Sequence, residues 1–146
     1  MSRRGQISVE YLIIIGLSLA LLIPAVMLFM NYANTSTDDV VSSQINRIGN
    51  ALVDQAFSVY TFGEGSWTTL TLTFPERVDR LVINGGNELV ISVFASGGVS
   101  ESIFFSEVDV TTVGCSPPGP CELAIHQGKN FIKVESKGDH VLLSIV

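Results

Sequence analysis

The chain has 146 residues, room for one domain of ordinary size, and only 15% of them are charged, with a formal net charge of −6. Once Arg3 and Arg4 are set aside, six Lys/Arg stand against fourteen Asp/Glu, a balance that argues against nucleic acid as a partner. The pattern along the chain predicts an α+β protein in three regions: a basic leader over 1–5, a long helix over 6–61 and a β-rich head over 62–146.

The first element follows the leader directly. Tyr11 to Met30 is apolar apart from Gly16, Ser18 and Pro24, and no charge occurs from Tyr11 to Thr37. Twenty helical residues at about 1.5 Å each match a bilayer's hydrocarbon thickness, so this segment is expected to span a membrane. A removable secretory signal has a shorter apolar core closed by small residues at a cleavage site, and neither feature is present. Arg3 and Arg4 place the amino terminus on the cytoplasmic side and the rest of the chain outside. Gly16 and Ala20 form a small-xxx-small pair suited to close helix packing. Pro24 is tolerable in a span because neighbouring helices can re-satisfy the carbonyl it frees.

Further along, Val41, Ile45, Ile48, Leu52, Ala56 and Val59 recur at steps of three and four, one stripe of an amphipathic helix. The helix is therefore apolar all round in its first half and apolar on one face in its second. Local irregularities are expected near Pro24 and at "NTSTDD", where Ser36 or Thr37 could cap a fresh start with Asp38 and Asp39 in its first turn. Gly63 and Gly65 end the element.

Beyond Trp67 the period changes to two. In "TTLTLTF", Leu70, Leu72 and Phe74 face one side and the threonines the other. "RVDRLVI", "ELVISVFA", "SIFFSEVDV", "ELAIHQ", "FIKVES" and "HVLLSIV" follow, separated by Gly-rich turns, which predicts about seven short strands in an antiparallel sheet or sandwich with the amphipathic helix half packed on it. Cys115 and Cys121 stand in "CSPPGPC"; outside the cell so close a pair reads as a disulfide, while C-x5-C without a second pair, and with His126 and His140 off finger spacing, is a poor metal site. No cofactor is implied. There is no G-x-S-x-G, H-E-x-x-H or phosphate loop, and no carboxylate pair has a spacing that suggests catalysis, so no enzyme is expected. Asn34-Thr35-Ser36 meets the N-glycosylation pattern, which requires only a location outside the cell.

The residues around Glu10 carry a resemblance. Arg3-Arg4, Gly5 and then Gln6, Ser8, Glu10 and Tyr11 ahead of the apolar run resemble the class III signal peptide of archaeal type IV pilins, in which a membrane peptidase cuts before the glutamine of a Q-x-S-x-E-[YF] pattern. Archaellins share the plan but lack this glutamine–glutamate pattern. The resemblance covers residues 3–30 closely and the rest only in architecture, a helix carrying a β head in lollipop form. It implies cleavage between Gly5 and Gln6, with recognition through Arg3, Arg4, Gln6, Ser8, Glu10 and Tyr11. It also implies a membrane precursor that becomes an extracellular filament on the cell surface. The implied partners are copies of the chain or other pilins, a prepilin peptidase, an assembly ATPase and a membrane platform protein, with adhesion as the usual output. Glu10 is then expected to set register by meeting a neighbour's new α-amine. The competing expectation is a monomeric membrane-anchored β domain that acts as a binding module.

Overall fold

A computed structural model describes residues 3–115 and 119–146, with side chains described from Val9 onward except that of Asn34. The chain forms two compact units, Met1–Thr37 and Asp38–Val146. The first unit is helical. Helix α1 runs without interruption over Arg3–Phe62, so Arg3, Arg4 and Gly5 of the leader lie within it, and Pro24 is internal to it. The irregularity expected at "NTSTDD" does not form. Thr35 Oγ1 donates to the Asn31 carbonyl (3.1 Å) and Thr37 Oγ1 to the Ala33 carbonyl (3.0 Å). These hydroxyls are spent on carbonyls four residues back, inside the helix, instead of capping a new N-terminus. Near Pro24, too, the helix assignment continues without a break.

α1 ends at Phe62, one residue later than expected. Gly63 takes a positive φ of 96° and its N–H donates to the Tyr60 carbonyl at 3.0 Å, a closing turn that a residue with a Cβ would adopt at a cost. Ser66 Oγ then lies 2.6 Å from both the Val59 and the Gly63 carbonyls and shares its one proton between them, which gives the Val59 carbonyl of the helix's last turn a donor.

The second unit contains, among the described residues, eight strands: β1 Trp67–Phe74, β2 Val78–Asn84, β3 Glu88–Ala95, β4 Gly98–Phe105, β5 Val110–Thr112, β6 Cys121–Leu123, β7 Gly128–Ser136 and β8 Val141–Ile145. They form two four-stranded sheets, ordered β1-β7-β8-β5 and β4-β3-β2-β6. The pairing is not wholly antiparallel, because β5 runs parallel to β8. The expected single strand "SIFFSEVDV" is two. Ser106 Oγ donates to the Val108 carbonyl (2.7 Å), making a turn between β4 and β5 that sends the chain from one sheet to the other. "ELAIHQ" contributes only β6, and its second half is loop; Asn130, buried in β7, accepts from the His126 N–H (3.0 Å) and donates to the His126 and Gly128 carbonyls, holding that loop.

The two sheets and the helix share one core. The predicted helical stripe is buried at Ile45, Ile48, Leu52, Ala56 and Val59, and meets Leu81, Ile83 and Ile91 of one sheet and Ile132, Val134 and Leu143 of the other. The alternation in β1 holds as read, with Phe74 buried, Leu70 and Leu72 packed against the core, and Thr69, Thr71 and Thr73 exposed. Burying each such aliphatic side chain contributes about 1.5–3 kcal/mol relative to exposure, which is what fixes the helical half within this unit.

Candidate assembly site

The amino-terminal unit carries an apolar surface that is exposed along its described residues. None of its most apolar 18-residue window is buried, and the helix is long and apolar enough to cross a membrane. Leu12, Leu17, Leu21, Met27 and Phe29 are all more than half exposed. The polar groups within this surface are largely spent internally. Ser18 Oγ donates to the Ile14 carbonyl at 2.8 Å, and Thr35 and Thr37 likewise donate to carbonyls four residues back. A hydroxyl so bonded costs little in a water-free setting, whether lipid or a bundle of helices.

Two features of this surface stand apart from its apolar side chains. Glu10 is exposed at the beginning of this surface, and no other charge follows until Asp38. Pro24 has no N–H, so the Ala20 carbonyl lacks its usual partner; Gly16 and Ala20 are both exposed and small, and a Cβ built on Gly16 meets nothing within 4 Å. A neighbouring backbone can approach closely at this level of the helix. The side chains of Arg3, Arg4, Gln6, Ser8 and Asn34 lie outside what the structure describes, and Gly5 is described only as part of the helix backbone.

These features coincide with a family model. A class III signal peptide matches residues 3–29. The match starts at Arg3 and ends within the apolar run, so the signal peptide and the membrane-length helix are one continuous element, consistent with a type IV pilin-like protein and with a membrane-anchored precursor. No curated protein and no solved structure matches the chain.

In the second unit, several residues that sequence reasoning passed over organise the head that this signal peptide precedes. Asp38 accepts from Arg77 (2.8 Å), in the β1–β2 connection, and from the Ser96 N–H (3.1 Å), in the β3–β4 turn. Donation from Ser96, through its side chain and then its N–H, together with the Arg77 guanidinium, holds the Asp38 carboxyl below the usual aspartate range. It therefore ties the beginning of the packed helical half to both connections. Gly49 is buried in the stripe, and a Cβ there would run into the Phe104 ring of β4. Its position four residues after Ile45, on the buried side, was the available signal. Cys115 and Cys121 form the expected disulfide, with Cα atoms 5.6 Å apart.

His126 pairs with no carboxylate or cysteine side chain among the described residues. His140 Nδ1 instead lies 2.6 Å from Asp139 Oδ1, just before β8. Among the described residues no group of three or more His, Cys, Asp or Glu side chains is placed to hold a metal ion.

Proposed function

We propose that this protein is a structural subunit of an extracellular type IV pilus-like filament. The observation that supports it is the continuity of the class III signal peptide match with a helix whose apolar surface is exposed along its described residues. Cutting before Gln6 removes Arg3 and Arg4 and frees an α-amine that is largely charged near neutral pH. That amine, on Gln6, starts the mature helix four residues before Glu10, where each charge is expensive if left alone at an apolar boundary. Pairing the amine of one copy with the Glu10 carboxylate of the next offsets both costs, and a misplaced neighbour leaves both unpaired, so the pair acts on register. Because lipid and a helix bundle are similarly apolar, exchange of one for the other needs no steep input.

In this reading the membrane holds the precursor, a prepilin peptidase trims it, and an ATPase and a membrane platform drive its polymerisation with copies of itself or other pilins. The head faces outward, where it serves surface adhesion. Neither catalysis nor nucleic-acid binding is assigned to it.

Mass spectrometry of the chain from its own cells is expected to find an amino terminus at Gln6, and sheared surface fibres are expected to contain it. Glu10→Ala is expected to give trimmed protein that stays in the membrane fraction and enters fibres poorly. An intact Met1–Gly5 together with no chain in the fibres overturns the reading.

A further inference from the structure

The outward faces of the two sheets carry opposite charge and opposite relief. On β7 the exposed side chains alternate with buried Asn130, Ile132 and Val134, so Lys129, Phe131 and Lys133 project from one face. Phe131 is 47% exposed, a large ring standing between two ammonium groups. Lys129 has no ion pair among the described residues, while Lys133 lies 2.8 Å from Glu135 and 5.4 Å from the centroid of the exposed Trp67 ring. Glu135 is shared with Lys137 of the following turn. All three lysines of the chain thus lie on this face or at its margin.

The outward face of the β4-β3-β2-β6 sheet is a shallow hollow of ≈ 390 Å³. Register places Val82, Val90 and Ile103 in one row across β2, β3 and β4, and these form its apolar floor. Glu88, Glu101 and Glu122 stand round it, against a single cation, Arg80. Glu101 is paired across the strands with Ser92, four residues from Glu88 on β3, so the two carboxylates are about 13 Å apart along the strand direction, the same as the Lys129–Lys133 interval of four residues.

We propose that this hollow receives the Lys129–Phe131–Lys133 face of a second copy of the chain, the phenyl ring on the apolar floor and the two ammonium groups over Glu88 and Glu101. The partners are different surfaces of one molecule, so the contact is head-to-tail and propagates instead of closing into a dimer. It rests on the filament reading only for bringing copies together outside the cell, and it gives the heads their own lateral contact, separate from the helices.

The test uses full-length protein in its own cells, treated with a short bis-maleimide, which leaves the native disulfide alone. Thr71, paired across the strands with Phe131, and Ile103 of the hollow are both exposed. The Thr71→Cys/Ile103→Cys double variant is expected to give a ladder of multimers, and each single variant none. Lys129→Glu is expected to lower the ladder yield about fivefold, the scale of one exposed ion pair, and either Glu88→Lys or Glu101→Lys in the same chain is expected to restore it. Absence of a ladder, dimers from either single variant, or no rescue by either reversal overturns the contact. Fibres without a ladder sink the contact and leave the filament reading; a ladder without fibres does the reverse.

Discussion

Replacing Gly49 by alanine sets two known effects against each other at one position. In a helix interior Gly→Ala is worth about 1 kcal/mol in favour of the folded state. Here the new methyl enters space held by the Phe104 ring, which is only 9% exposed and so has little room to yield. Overpacking of this kind costs about 1–3 kcal/mol, so Gly49→Ala is expected to be neutral to destabilising by about 2 kcal/mol. The background decides the sign. Phe104→Ala alone should cost about 3–5 kcal/mol, and with the ring gone the alanine at 49 should become stabilising by its propensity, about 1 kcal/mol. The coupling between the two sites is then about 1–3 kcal/mol. Urea unfolding of the full chain in detergent, followed by the fluorescence of the single tryptophan, Trp67, supplies all four corners of the cycle. If Gly49→Ala stabilises the wild-type background as much as the Phe104→Ala background, the close approach is not what selects glycine.

Other outcomes follow from the head. Lys133 and Lys137 hydrogen-bond the Glu135 carboxylate and hold it down to about 2, from an ordinary 4.5. A depressed folded-state value means that this contribution is complete above pH 4.5 and is lost as pH falls toward 2, so Glu135→Gln should flatten the acid decline in urea midpoints over that window. Asp38, also held low, contributes with the same sign; Asp38→Asn should loosen the Arg77 and Ser96 connections, seen as faster amide exchange in the β3–β4 turn, with strands β7 and β8 unchanged. The Cys115–Cys121 bridge closes a loop with a sequence separation of only 6, for which chain entropy gives about 2 kcal/mol, so reduction should lower the urea midpoint modestly without unfolding the head.

Local pattern and composition carried a long way in this chain. The apolar run needs only its own length and lack of charge to mark a membrane-length helix, because in lipid or in a bundle every backbone group is satisfied inside the helix and the side chains need only be apolar. The stripe from Val41 to Val59 shows which face of the helix packs, since a period of 3.6 admits one buried side. The strict alternation of β1 similarly separated Leu70, Leu72 and Phe74 from the threonines. Glu10 stood out for the opposite reason, as a charge where the local environment makes one costly.

What no local pattern could supply were the relations between distant segments. The parallel pairing of β5 with β8 joins Val110 to Val141 across thirty residues of intervening chain, and only the closing of the core selects it. The Asp38 clamp, the Gly49–Phe104 approach, and the placing of Glu88 and Glu101 round one hollow floored by Val90 each depend on which strands become neighbours. Such contacts lower the free energy only once the chain has closed long loops, and a sequence records that closure nowhere in particular. The sequence alone thus determined a membrane-length helix with a signal peptide and an alternating-strand head; the tertiary structure decided which faces of that head look outward, and with what charge.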